Sequence, residues 1–324
     1  MKAIIPVAGQ GTRLRPHTHT VPKVLLQVAG KPIVGHILDQ LEPLGIEELI
    51  MVVGYRGEMV QEYIRSRYSF KTKFVEQKEL LGLGHAIYLA AEEAGPGPTL
   101  IILGDTIFRT DLRLVQNSEH ALLGVKPVED PRRFGIAEVK NGRIVRLVEK
   151  PDRPVSNLAI VGIYYLPDLA PLLECLKTIV QEKRTTKGEL QLTDALQLLL
   201  DRGSDMRPLP VEGWLDCGKR ETLLETNRQL LISKGYHRPL ESSIVIEPVY
   251  VADSAVVEAS IIGPFVSIAD NSSIERSILR DTIVNQSATV RNASLEQSIV
   301  GDNAIVLGRM SHLNVGDSSE IDFT

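Results

Sequence analysis

Over its first two thirds the chain alternates short apolar runs with amphipathic stretches. Ala3-Ile4-Ile5-Pro6-Val7-Ala8, Leu49-Ile50-Met51-Val52-Val53 and Leu100-Ile101-Ile102-Leu103 have the length and composition of strands buried on both faces. Between them, Glu58 to Tyr68 places its apolar residues at helical spacing. Buried strands separated by helices predict an α/β domain with a mostly parallel sheet, in which ligands bind at the carboxyl ends of strands. Gly104-Asp105 follows one such strand and a glycine-rich segment follows another.

After Ile232 the texture changes. Ser233 to Leu240 reads as a linker, which predicts a first domain over 1–235 and a second over 244–324. Aliphatic residues then recur every five or six positions: Val245, Val251, Val257, Ile262, Ile268, Ile274, Leu279, Val284, Val290, Leu295, Val300 and Val306. Val245, Ile262 and Leu279 are 17 residues apart, and Ser260-Ile261-Ile262 returns as Ser277-Ile278-Leu279. A near-hexad with three short faces per coil predicts a β-solenoid whose coils stack their aliphatic rows. A β-sandwich would also use many short strands, but it has no reason to keep a constant period.

Composition narrows the function classes. With 324 residues, 43% of them hydrophobic, the chain can bury a large core, and no apolar run approaches the ~20 residues that span a bilayer. A cytoplasmic protein without a membrane partner is expected, and Cys175 and Cys217 read as reduced structural residues. Net charge is −5, and basic clusters are not interleaved with aromatics, which argues against a nucleic-acid partner. From residue 244 onward there is no lysine, and 4 arginines face 11 acidic residues. Phosphate chemistry therefore belongs to the first domain, and the acidic solenoid reads as an assembly or regulatory module, with a homo-oligomer expected.

The chemistry starts behind the first apolar run, in Gly9-Gln10-Gly11-Thr12-Arg13-Leu14-Arg15-Pro16, with Lys23 shortly after. Two glycines allow close backbone approach to an anion, Thr12 adds a hydroxyl, and Arg13, Arg15 and Lys23 add positive charge. A dinucleotide fingerprint would need a glycine at Leu14, and a Walker loop would end in Gly-Lys-Ser/Thr; neither is present.

This string resembles the signature of the sugar nucleotidyltransferases, with Ala8 where that family usually has its first glycine; Pro6-Val7-Ala8-Gly9 is similar to the opening of bacterial glucose-1-phosphate uridylyltransferases. The resemblance covers most of residues 1–230 and, more loosely, the repeat. It implies a Rossmann-like nucleotidyltransferase domain followed by a small left-handed parallel β-helix. The implied reaction joins a pyrimidine nucleoside triphosphate, dTTP or UTP, to a hexose 1-phosphate, most simply glucose 1-phosphate, and releases pyrophosphate.

The resemblance also implies roles for particular residues. Arg13 and Lys23 are the catalytic cations, and Gly9, Gly11, Thr12, Gln77 and Gly82 bind the nucleotide, a glutamine amide being able both to donate to and accept from a pyrimidine edge. Gly135, Glu149, Lys150, Asn157 and Glu189, with Gly162 nearby, surround the sugar phosphate. Asp105 in Gly-Asp and Asp216 in Trp214-Leu215-Asp216-Cys217-Gly218 hold Mg2+, whose preference for oxygen ligands two carboxylates meet. Two alternatives stay open: a catalytically silent sugar-nucleotide-binding subunit, and a bifunctional uridylyltransferase/acetyltransferase for N-acetylglucosamine 1-phosphate, the latter suggested by Ser311 to Asp317. His312 in that stretch reads as structural.

Overall fold

The computed structural model describes residues 1–116, 118–235, 238–309, 315, 318 and 320. His312 therefore lies outside the described residues. Contacts divide the chain into two units: Met1–Leu26 with Lys31–Thr226, and Gln27–Gly30 with Asn227–Thr324.

In the first unit, β1 (Lys2–Pro6) lies between β4 (Glu48–Val53) and β6 (Thr99–Ile102), and β5 (Thr72–Glu76) extends the same parallel block beyond β4. Antiparallel ladders then run from β6 to β11 (Leu158–Leu166), β9 (Gly135–Lys140) and β10 (Arg143–Glu149). β8 (Ala121–Pro127) pairs with β11 and, in parallel, with β12 (Met206–Pro210).

The apolar runs read as buried on both faces are so. Ile4, Ile50 and Ile101 face one cluster, together with Ala86, Ile87, Ala90 and Ala91 of α3 (Leu83–Ala94) and apolar residues of α4 (Ala170–Gln181) and α5 (Leu192–Asp201). Ala3, Ile5, Leu49, Met51, Leu100 and Ile102 face the other, which includes Val34, Ile37, Leu38 and Leu41 of α1 (Ile33–Leu41) and Val60 and Ile64 of α2 (Gly57–Arg67). The period of two along each strand thus builds a three-layer α/β/α unit. Among the described residues, no helix is long and apolar enough to cross a membrane.

The second unit holds the expected solenoid as three short parallel sheets. One stacks Ile244–Val245, Ile261–Ile262, Ile278–Arg280 and Ser294–Glu296; the second stacks Val249–Val251, Val266–Ile268, Ile283–Val284 and Ile299–Val300; the third stacks Val256–Glu258, Ser273–Glu275, Thr289–Arg291 and Ile305–Leu307. The aliphatic rows fall in register, Val245 on Ile262, Leu279 and Leu295, with equivalent stacks of Val251, Ile268, Val284 and Val300 and of Val257, Ile274, Val290 and Val306. This is the coil architecture of the left-handed β-helix. The repeating serines also have a job: Ser260 Oγ accepts from Ser277 N at 3.0 Å and donates to Glu258 O at 2.7 Å, satisfying corner groups between coils.

Asn227, the first residue of the second unit after the contact division inside α6 (Arg220–Lys234), is fully buried. Its Oδ1 accepts from Ala29 N at 2.8 Å and Ser267 Oγ at 2.6 Å, and its Nδ2 donates to Phe265 O at 3.2 Å. Asn227→Ala orphans two buried partners and one half-buried carbonyl at once and should destabilise the second unit by about 3 kcal/mol, read from chemical denaturation. A loss well below ~1 kcal/mol would show that these bonds are replaceable.

Candidate active site

The C-terminal edge of the parallel block opens into a cleft of about 510 Å3. Its wall includes Gly9, Gly11, Thr12, Arg13, Lys23, Gln77, Gly82, Asp105 and Glu189. Nine of the residues singled out from sequence thus meet around one space, although they come from four separate segments.

Local backbone explains the convergence. Behind β1, Val7 N donates to Val52 O at 2.8 Å and Gly104 N donates to Pro6 O at 3.3 Å, so both neighbours grip the strand where the phosphate loop begins. Gly11 takes φ +62, and a Cβ there would lie 2.9 Å from Lys23 Cβ. Glycine at 11 therefore lets the Lys23 side chain pack beneath the loop, and Thr18 Oγ1 fastens it by donating to Gly11 O at 2.9 Å.

Lys23 is 7% exposed, and its Nζ donates to Asp105 Oδ2 at 2.9 Å. The Asp105 carboxylate opens partly to the cleft and is pulled both ways. Desolvation, the largest influence, raises its pKa, while the charge and hydrogen bond of Lys23 and the Thr106 hydroxyl lower it; the net direction is down. Such a carboxylate stabilises the fold above the ordinary carboxyl range, and that contribution is lost as the pH falls through the lowered value.

Asp216 does not line the cleft itself, but it stands beside it. β13 (Gly213–Asp216) pairs antiparallel with β7 (Thr106–Arg109), setting Asp216 opposite Thr106, and Cys217 N donates to Asp105 O at 3.2 Å. The two aspartates are therefore backbone neighbours across a ladder. Among the described residues no group of three or more His, Cys, Asp and Glu is arranged as a metal cage. Two hard carboxylates beside a phosphate loop do suit Mg2+, which commonly takes one or two carboxylates and completes its shell from phosphates and water.

Of the residues expected around a sugar phosphate, Gly135, Glu149 and Lys150 form a second group, whereas Glu189 lines the cleft itself. β9 and β10 set Gly135 opposite Glu149, and a Cβ at 135 would come 2.9 Å from Glu149 Oε2 and 3.0 Å from Thr193 Oγ1. The missing side chain leaves room for Thr193 Oγ1 to donate to Glu149 Oε2 at 2.7 Å. Lys150 Nζ lies 3.4 Å from Glu149 Oε1. Tyr164 ties this group to the cleft: burial pushes its hydroxyl pKa up, and the charges of both Glu149 and Asp105 add to the effect.

Asn157 is exposed, and its carbonyl accepts from Val128 N at 3.0 Å. Glu189 closes a tight turn whose central residues, Lys187 and Gly188, both take positive φ, and its Oε2 accepts from Gln191 Nε2 at 3.1 Å. Thr193 and Gln191, which hydrogen-bond these carboxylates, had no assigned role in the sequence although both follow Glu189 within four residues.

Gln77 extends from the end of β5, its N donating to Val53 O at 2.8 Å. Its Nε2 donates to Gly82 O at 3.1 Å and lies 3.3 Å from His85 Nδ1. Gly84 N donates to Leu190 O at 2.7 Å, fixing the start of α3 to the segment that carries Glu189.

A family model described as nucleotidyl transferase matches residues 2–233. The chain belongs to the nucleotidyl transferase family. The matched span takes in the whole cleft. A low-salt glycan biosynthesis nucleotidyltransferase of Haloferax volcanii is 37% identical over 72% of this chain and 67% of its own length. A glucose-1-phosphate thymidylyltransferase of Streptomyces griseus is 30% identical over 99% of this chain and 95% of its own. Among solved structures, a putative glucose-1-phosphate thymidylyltransferase from Bacillus anthracis, in complex with a sucrose, has 28% identity and a TM-score of 0.62 over 74% of this chain and 98% of its own. A UDP-glucose pyrophosphorylase complexed with UDP-glucose has 26% identity and a TM-score of 0.63 over 72% and 99%.

Two outcomes are expected from this geometry. In Lys23→Met the desolvation of Asp105 stays while its counter-charge goes, so its carboxyl should titrate at higher pH than in the unmodified chain; carboxyl 13C shifts through a pH series would show it, and an unmoved titration would contradict the pairing. Both cysteines are buried and outside any disulfide, and burial pushes Cys217 up to about 12 and Cys175 upward. Neither should react with a thiol reagent at pH 8 within the time that denatured protein reacts fully.

Proposed function

We propose that this nucleotidyl transferase moves a nucleotidyl group from a pyrimidine nucleoside triphosphate to a hexose 1-phosphate, with glucose 1-phosphate the favoured acceptor. The observation that carries the reading is the buried Lys23 ammonium, held against Asp105 where the basic phosphate loop enters the cleft. A phosphate oxygen of the sugar 1-phosphate attacks the α-phosphorus, the α–β bridging bond breaks, and pyrophosphate leaves. The attacking oxygen is already ionised near neutral pH, so no general base is required.

The obstacle is repulsion between anions, and the chain's own cations address it. Arg13, with Thr12 and the loop amides, would take the triphosphate and the leaving pyrophosphate; Lys23 would face the reacting phosphates as charge builds. Asp105 and Asp216 would hold Mg2+, which supplies further neutralisation of the triphosphate. Gly135, Glu149, Lys150, Asn157 and Glu189 would surround the hexose phosphate, Glu149 accepting hydroxyl hydrogen bonds while Thr193 holds it in place.

For the base, Gln77 and Gly82 line the same cleft. The Streptomyces relative that spans nearly the whole chain is named a thymidylyltransferase, whereas a UTP–glucose-1-phosphate uridylyltransferase of Haloferax volcanii is 33% identical over 71% of this chain. This favours dTTP first and UTP second.

The test is Mg2+-dependent pyrophosphate release with dTTP, UTP, CTP, GTP and ATP crossed against glucose, galactose, mannose and N-acetylglucosamine 1-phosphates. Release is expected with dTTP or UTP and glucose 1-phosphate, and Lys23→Ala should lower turnover by at least ~10²-fold while staying folded. Silence in every pair from folded protein would favour a sugar-nucleotide-binding regulatory subunit instead.

A further inference from the structure

We infer that His85 is a positioning residue for Gln77, leaving Gln77 as a hydrogen-bond acceptor alone toward the cleft and so selecting bases that carry a ring N–H. The inference rests on the proposed nucleotidyl transfer and on Gln77 facing the base.

The orientation of the Gln77 amide follows from its neighbours. Gly82 O can only accept, and the Gln77 atom 3.1 Å from it must therefore be the amide nitrogen. The reverse orientation would set two oxygens against each other. The same nitrogen lies 3.3 Å from His85 Nδ1 and has one hydrogen left. That hydrogen can be shared only with an Nδ1 that carries no hydrogen, so the pairing requires the imidazole to present Nδ1 as an acceptor.

Both N–H groups of Gln77 are then used inside the protein. Its side chain is almost wholly buried, yet the residue lines the cleft, and what it has left to offer there is Oε1. The N3–H of uracil or thymine can donate to that oxygen. Cytosine N3 and adenine N1 are acceptors and would meet it lone pair to lone pair, a mismatch that costs more than a missing contact because both groups are desolvated. The sequence reading of a glutamine that both donates and accepts is thereby narrowed. His85 sits in the first turn of α3, just after Gly84, whose N–H is fixed to Leu190 O, so the imidazole is carried on a secured helix start rather than a free loop.

The experiment is equilibrium binding of UTP, dTTP and CTP to the full chain and to His85→Ala and His85→Asn, with kcat measured on the favoured triphosphate. In His85→Ala, UTP and dTTP should bind about tenfold more weakly, the size of one net hydrogen bond, and the preference over CTP should shrink by a similar factor, with kcat at saturation little changed. His85→Asn, whose Oδ1 can accept in place of Nδ1, should keep the preference. Should the alanine variant fail to fold, His85→Phe fills the ring's place without an acceptor and gives the same comparison. An unchanged preference in the alanine or phenylalanine variant, an asparagine variant that behaves like either, or a loss confined to kcat would overturn the inference. Wild-type protein with no preference for UTP or dTTP over CTP would instead overturn the reading of Gln77 itself, and intact discrimination without pyrophosphate release would strike only the proposed reaction.

Discussion

The cleft depends on β1 being held between β4 and β6. A strand with hydrogen-bonded neighbours on both sides and apolar clusters on both faces has no freedom to shift, and its end delivers the next residues to a fixed point. That point lies beside the end of β6, which delivers Asp105, and Gln77 follows from β5 through its bond to Val53. Three chain segments far apart in sequence meet because parallel strands all point their carboxyl ends the same way. The rigidity of the phosphate loop is thus inherited from the sheet rather than generated within the loop.

A buried ammonium needs a partner, and the partner here is itself accessible. Lys23 is buried beneath the loop while Asp105 opens to the cleft, so the pair keeps a positive charge beside the cleft without exposing the lysine to bulk water. Removing Asp105 would leave the Lys23 ammonium buried without its counter-charge, which costs far more than the net value of an exposed ion pair. The cost of burying Lys23 is met by the fold in advance, and that is what preorganisation means at this site.

The second unit was legible in the sequence almost residue by residue. Nine of the twelve aliphatic positions of the near-hexad are buried in its core, Val245, Leu295 and Val306 pack against it partly buried, and all stack in the three rows that the 17-residue spacing implies. The reason is physical: in a solenoid each coil meets only its neighbours, so periodicity along the chain is contact in space. The first unit was legible at its strands and at the glycine-rich loop that lines the cleft, since each of those is continuous. The antiparallel ladders of β9, β10 and β11 were not, because a strand's direction in a sheet depends on connections that local patterning does not record. The contact division inside α6 and the assignment of Gln27–Gly30 to the second unit are equally nonlocal: Ala29 N donates to Oδ1 of Asn227, a residue 198 positions further along the chain.

Within the site, legibility stops where a residue's chemistry is decided by its neighbours. Arg13, Lys23 and Asp105 bring fixed charges, and their residue types already say what they can bind. Glu149 and Gln77 do not. Glu149 is an acceptor whose direction is set by Thr193 from α5, reached across the space that Gly135 leaves free. Gln77 has a side chain with two faces, and which one meets a ligand is decided by a carbonyl and an imidazole five and eight residues further on. Residue type supplies a range of possible hydrogen bonds; the fold spends some of them internally, and specificity is what remains. In this cleft the convergence of the basic loop with Asp105 was therefore readable from composition and spacing, while the orientation of Gln77 required the bonding partners of a single amide.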